Sequence, residues 1–368
     1  MTLKRLSYIE NAKTLADSGE YTMDINIRDP ITTLWIRFKA QNGTTSNKAN
    51  PPHAAIDSIE LIDGSDVLVS LDAYEIVSMA AYKLGFLPYQ ELTEVAGNEQ
   101  TAVLPIFFGR FPGDQQYAFD PTRFTNPQIR IKWNLANGGT IAATTWVTAT
   151  AKLTVIAEIM EGAPAPLGFL TQKEYYSFTS AASGIEYVDL PVDYPHRGLF
   201  IRASKAATYF MAGIGNIKIT ADQGKFIPFD MGTVEYLRWL TMRYPPFQYK
   251  HEFWCVNGDT LYPILKYDEN VVPSANGGGD HTVQYPNTGE GEGAVDLRSA
   301  GSAETGLHQV NATVFGWAPF GGIYLPWGDP MTPADWLPAG LFKSLRLELT
   351  NNAASASVWV AIEQLRTY

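Results

Sequence analysis

Residues able to support catalysis are few in this chain, and their spacing works against it. Five histidines, His53, His196, His251, His281 and His308, are scattered through 368 residues with no His-x-His pair and no His-Glu-x-x-His motif, so a zinc or cupin-type metal site has no ligand pattern to build on. His251 and Cys255 are the one Cys/His pair close in sequence. In FQYKHEFWC, however, Phe247, Tyr249 and Phe253 alternate with Gln248, Lys250 and Glu252, which is strand spacing. Four residues along a strand span roughly 13 Å, whereas a nucleophile and its base need ~3 Å. The thiol reads as a packed side chain.

Carboxylates fare no better. Glu158 in LTVIAEI and Glu363 in VWVAIEQ hold matching places opposite the apolar face of two related strands. A glycosidase pair must flank one bond, and matching places in separate domains do not meet, so both are expected as solvated strand charges. Asp114, Asp120, Asp329 and Asp335 lie in turn sequences, where Asp bonds its own backbone. GIGNIK lacks the third glycine of a dinucleotide fingerprint, no GxxxxGK[ST] occurs, and GGGDHTVQY is a single glycine-rich run without the repeat of a calcium site. Asn42 and Asn311 begin sequons that mean little without a secretion signal. Trp317, Trp327, Trp336 and Trp359 cluster late in the chain and read as core and interface anchors, with sugar platforms as the alternative. No catalytic, cofactor-binding or metal-binding residue is assigned, and no cofactor is expected.

Composition sets the frame for what positions these residues. Apolar residues make up 45% and charged residues 18%, as in a folded soluble protein, and the length suits two domains. A net charge of −11 without clustered Lys and Arg argues against direct nucleic-acid binding. One cysteine excludes an internal disulfide framework. The opening MTLKRLSYIENAKTLADSGEY has no apolar core of signal-peptide length, and no stretch approaches the ~20 apolar residues of a spanning helix. The chain is expected to be made and folded in cytosol, with 1–18 as an N-terminal arm.

Short alternating segments dominate the rest. Leu34, Ile36, Phe38 and Ala40 share one face of ITTLWIRFKA; Ile129, Ile131, Trp133 and Leu135 share one face of QIRIKWNL; Leu153, Val155, Ala157 and Ile159 share one face of AKLTVIAEI. That period of two, punctuated by turns such as FPGDQQ and DPTRFTNP, predicts an all-β sandwich. Asp72 followed by Glu75 predicts a capping box and a helix over IVSMAAYKL.

The pattern occurs twice. IDSIELIDGSDVLVSLDAYEI (56–76) is echoed from residue 214, LWIRFKA by LFIRASK (199–205), IFFGRFPG by TVFGWAPF (313–320), IRIKW by LRLEL (345–349) and LTVIAEI by VWVAIEQ (358–364), all in one order. The second copy keeps Asp230 but has Thr233 where a capping box wants Glu, so its helix is expected to start later or to be capped less well. The Pro-x-Pro stretch EGAPAPLGFLTQ (161–172) reads as a linker. The expected organisation is two tandem eight-stranded jelly rolls, 19–160 and 173–368, each with a short helix between its fourth and fifth strands. An excursion over 255–308 holds eight glycines within 273–306 and is expected as an exposed loop.

This organisation resembles the double jelly-roll major capsid proteins of tailless icosahedral viruses in the adenovirus and tectivirus lineage, many of which have an internal membrane. The resemblance is carried by LWIRFKA, IDSIELIDGSDVLVSLDAYEI and IFFGRFPG with their second-half partners. It implies homotrimers of pseudo-sixfold outline tiling a virion shell, with the excursion as an outer tower. It also implies neighbouring capsomers and minor or vertex proteins as partners, and contact of the arm with Lys4, Arg5 and Lys13 with an internal membrane surface is the accompanying expectation. The alternative is a two-domain jelly-roll enzyme or lectin of the N-glycan amidase type, which would need paired carboxylates in a cleft and exposed tryptophans.

Overall fold

The computed structural model describes residues 2–43, 51–91, 97–138, 146–204, 210–255, 260–261, 271–273, 281–284, 295–299 and 308–368. Eight strands build the first half: β1 (Leu3–Thr14), β2 (Ser18–Asp24), β3 (Ile31–Gln41), β4 (Ile56–Asp63), β5 (Asp66–Leu71), β6 (Glu99–Phe107), β7 (Pro127–Asn134) and β8 (Lys152–Glu161), with helix α1 (Ala73–Leu84) between β5 and β6. Eight more build the second: β9 (Gly168–Thr179), β10 (Ile185–Leu190), β11 (His196–Ser204), β12 (Ile214–Ala221), β13 (Phe226–Gly232), β14 (Gly322–Pro326), β15 (Leu345–Asn351) and β16 (Ser357–Thr367), with helix α2 (Thr233–Arg243) after β13.

Strand order is the same in both halves. The first half pairs β1-β8-β3-β6 in one sheet, with the two-residue strand Gln90–Glu91 beyond β6, and β2-β7-β4-β5 in the other; the second pairs β9-β16-β11-β14 and β10-β15-β12-β13. Each is a jelly roll, and the molecule is a double jelly roll. The faces read from alternation are the buried ones: Ile36, Phe38, Ile129, Ile131, Leu153, Val155, Ala157 and Ile159 are all sealed from solvent. One apolar cluster runs through both halves.

Four expectations are corrected. Residues 3–14 are not a free arm, because they pair with β8 from Leu3 opposite Glu161 to Thr14 opposite Lys152. Counted from Leu3 and from Gly168, each helix follows the fifth strand of its barrel and not the fourth. Only 162–167 separates β8 from β9, so the second barrel begins at Gly168 and the linker is shorter than 161–172. The echo of IFFGRFPG in TVFGWAPF is coincidental: β6 lies beside β3, whereas His308–Gly316 pairs with Phe247–Cys255 outside the barrel sheets, and the counterpart of β6 is β14 beside β11. Alternating apolar residues satisfy any strand, so a single match has little power to locate one.

The excursion over 255–308 falls mostly outside the described residues. Within it, His281–Gln284 and Thr260–Leu261 flank Val295–Ser299 in a small sheet, so the glycine-rich sequence does not exclude strands. His251 and Cys255 lie on one strand, opposite Ala312 and His308, as their alternation predicts.

The barrels are joined by a shared sheet. β9 runs parallel to β5, with Gln172 opposite Val69 and Lys173 opposite Ser70, and this makes one eight-stranded sheet from two four-stranded ones. The joint uses up two sheet edges that would otherwise expose unpaired backbone groups.

Candidate functional site

The chemistry of the molecule is concentrated where α1 enters this joint. The Asp72 carboxylate accepts from the Glu75 backbone at 2.6 Å while Glu75 Oε2 accepts from the Asp72 backbone at 3.0 Å, the reciprocal capping box the sequence predicts. Gly85 ends the helix in the left-handed region at φ 78°, where a side chain would be strained. The sequence AYEIVSMAAYKL is apolar nearly all round, the mark of a helix covered on every side. The cover is the second barrel. Ser78 donates to the Pro319 carbonyl and Tyr82 to the Gly322 carbonyl, each at 2.9 Å.

Two ion clusters complete the seam. In the first, Glu363 on β16 is fully buried and receives four donors: Lys83 Nζ from α1, Arg197 Nη1 at 2.7 Å from β11, Tyr324 OH at 2.7 Å from β14 and Gln172 Nε2 at 2.9 Å from β9. Burial alone would push the Glu363 carboxyl up, but the charges of Arg197 and Lys83 and the hydrogen bonds from Lys83 and Tyr324 hold it at about 2. Burial draws the Lys83 ammonium down to about 8, against the support of Glu363. In the second cluster, Arg202 on β11 pairs with Asp72, and its guanidinium lies 3.7 Å from the centre of the Trp359 ring. Burial, with the Asp72 charge adding to it, raises the buried Glu75 carboxyl well above its usual range.

A carboxylate saturated by four donors and closed to water offers neither a base nor a nucleophile. It is a clamp between barrels. Glu363 is thus not the solvated strand charge that its position suggested. The signal was present: in VWVAIEQL apolar residues occupy both faces around a single Glu, which marks a strand covered on both sides. Glu158, its counterpart, is the more open of the two and contacts Lys4 at 3.4 Å.

The remaining candidates have local roles. His53 is buried, bonded to Gln90 at 2.8 Å and packed edge-on against Tyr74 and Phe320; burial lowers its pKa to about 3. His196 is buried against the Pro191 carbonyl at 2.8 Å. Asp114, Asp120 and Asp329 accept from backbone N–H groups of their own turns, and Asp335 ends a short 3-10 turn. Trp336 is core, beside Tyr117, Leu170 and Leu365, and Trp317 Nε1 bonds the Tyr244 carbonyl at 3.0 Å. No group of His, Cys, Asp and Glu suited to a metal occurs among the described residues.

The second half repeats the seam's inner wall without its cover. Ile219 faces Phe229 as Leu61 faces Val69, and Lys218 faces Asp230 as Glu60 faces Ser70, so Phe229 and Asp230 stand where Val69 and Ser70 do. Counted from the N-caps Gly232 and Asp72, Glu235 matches Glu75, Met242 matches Tyr82 and Arg243 matches Lys83. As the sequence predicts, α2 is capped less well than α1, but the cause is the N-cap itself: Gly232 has no side chain to accept, while a Glu is present at 235. Its face is open: Met242 is 81% exposed against 7% for Tyr82, and Phe226 and Ile227 on β13 are 50% and 47% exposed. A pocket of ≈ 330 Å³ lies here, lined by Phe229, Met231, Tyr236, Trp239 and Arg243 among others.

No family model matches the sequence, and no curated protein matches it. Solved structures do match in fold. The major capsid protein of Sulfolobus turreted icosahedral virus superposes with a TM-score of 0.62 at 9% identity, covering 100% of this chain and 98% of that one. The capsid of the virus PBCV-1 gives 0.56 at 10% identity over 99% and 94%. The major capsid protein P2 from bacteriophage PM2 gives 0.54 at 11% identity over 99% and 98%.

Proposed function

We propose that this chain is a major capsid protein, a non-enzymatic building block that forms homotrimers of pseudo-sixfold outline and tiles an icosahedral virion shell. The observation that carries the reading is the repeated joint: two barrels of one topology meet edge to edge through β5 and β9, and the second barrel carries the same inner wall, uncovered, at β13 and α2. A subunit with a filled joint at its middle and an open one at its end is suited to a closed ring. Solved structures of the same fold are named as major capsid proteins, which supports the same role here. In this reading the chain is synthesised in the host cytoplasm and resides in the virion, beside neighbouring capsomers and minor or vertex proteins.

The pairing of Leu3–Thr14 with β8 makes this segment an edge strand, on which Lys4 and Arg5 stay exposed for contact with an internal membrane surface. The glycan-active alternative needs two carboxylates in one cleft, and the saturation of Glu363 removes it as a member of such a pair. Light scattering on the purified chain tests the proposal. A mass of three chains and a hexagonal outline in negative stain are expected; a monomer at every concentration would overturn it.

A further inference from the structure

We infer that the exposed face of β13 and α2 is the docking site for β1 and β8 of a second copy of this chain, and that this contact repeats between chains the joint that β5 and α1 make with β9 and β16 within one. The inference rests on the shell reading above and deepens it by naming the surfaces and charge pairs.

Three observations converge. The first is the strand edges. β1 and β13 end their sheets, as β9 and β5 would if they did not meet each other. Leu6 stands opposite Glu158 as Gln172 stands opposite Glu363, and Ser7 follows Leu6 as Lys173 follows Gln172. Since Gln172 and Lys173 pair with Val69 and Ser70, the copied joint sets Leu6 and Ser7 against Phe229 and Asp230 of the next chain. Both edges expose apolar side chains with no cover in the single chain: Leu3, Leu6 and Tyr8 on β1, Phe226 and Ile227 on β13.

The second is the clamp. Within the chain, Lys83 of α1 reaches Glu363 of β16. The counterparts are Arg243 of α2 and Glu158 of β8. Thr33 faces Glu158 as Gly198 faces Glu363, which fixes the equivalence of the two carboxylates. Arg243 sits at the surface, bonded to the Gly328 carbonyl, and Glu158 has Lys4 beside it. The cation has kept its sign on one barrel and the carboxylate has kept its sign on the other.

The third is the helix entrance. Arg202 pairs with Asp72. Its counterpart Arg37 meets no carboxylate among the described ion pairs and bonds Thr154 through Nη2 at 3.3 Å. Opposite it, in the copied joint, Gly232 replaces Asp72, and Glu235 folds over that glycine with Oε2 2.5 Å from where a Cβ would stand. An acid of the first turn thereby stands at the place the cap leaves open. Arg243 with Glu158 and Arg37 with Glu235 are complementary across surfaces of different barrels, so the contact is head to tail.

Charge reversal tests the pairing. Arg243→Glu and Glu158→Lys should each weaken self-association by ~10-fold or more, and Arg243→Glu/Glu158→Lys in one chain should restore it to within a few-fold of wild type, read by sedimentation velocity at matched salt. Leu6→Glu on the exposed side of β1 provides an independent arm and should also weaken association. Thermal melting checks that each variant folds. If wild type assembles and the single reversals and Leu6→Glu assemble equally well, the inference fails and the shell reading stands. If the reversals disrupt assembly but the double variant does not recover it, the assigned pair is wrong. If wild type is a monomer throughout, the shell reading fails and takes this joint with it.

Discussion

Helices α1 and α2 occupy the same place in two copies of one fold, yet one is sealed and the other lies open. In α1 the residues that face the second barrel are Ser78, Tyr82 and Lys83, and each has a partner there. In α2 the positions of Tyr82 and Lys83 hold Met242 and Arg243, both at the surface. Topology is therefore indifferent to what covers the helix, and side-chain chemistry is not. A helix buried on all sides keeps the Lys83 charge only because Glu363 awaits it, whereas an open one carries Glu235, Arg238 and Arg243 towards solvent.

The largest expected effect separates the two carboxylates. Glu363→Ala leaves Arg197 and Lys83 buried without their anion and should cost about 3–5 kcal/mol, whereas Glu158→Ala, which loses one partly exposed contact, should cost within about 1 kcal/mol. Chemical denaturation of the two variants measures both. Equal losses would erase the distinction between seam and surface.

Acid titration comes next. Glu363 is held at about 2, below its usual 4.5, so its contribution is complete above pH 4.5 and is lost as pH falls through 2. That shift corresponds to roughly 3 kcal/mol. Stability of wild type should fall more steeply over this window than that of Glu363→Gln, measured by denaturation at stepped pH. Lys83 gives a second rise at the alkaline end: its value of about 8 lies below the usual 10.5, so stability should rise as pH climbs from 8 towards 10.5, and Lys83→Met should abolish that rise.

Smaller effects sharpen the same contrast at the caps and at the open face. Asp72→Ala removes a side-chain cap and the partner of Arg202 and should cost about 1–2 kcal/mol, while Gly232→Ala has no such bond to lose. Met242→Ala should change monomer stability by less than about 0.5 kcal/mol. A large loss at Met242 would mean that its face is already covered in the single chain.

Much of the fold was legible because local rules suffice for it. The alternation in LWIRFKA and LTVIAEI fixed the inward faces, and Asp72 with Glu75 fixed the start of α1. The broken capping box foretold a weaker cap on α2, though not that Gly232 would be its N-cap. Other features needed partners distant in sequence. MTLKRLSYIENAKT shows charged and apolar residues in nearly equal measure, and nothing local says that it pairs with β8. The candidate site was the least legible part. Glu158 and Glu363 hold matching places in related strands, and only the apolar residues on both faces of VWVAIEQL set the second apart.

The amino-acid order by itself determined the strand periods, the doubling of the pattern and the absence of any ligand-spaced set of His, Cys and acids. Periodicity carries that information because a strand's two faces are set by neighbours along the chain. Only the tertiary structure decided which copy's helix is buried, that β5 and β9 fuse two sheets into one, and that Glu363 is a buried anion with two cations upon it. Those outcomes depend on contacts between residues hundreds of positions apart, where burial, not residue type, sets the charge a side chain can keep.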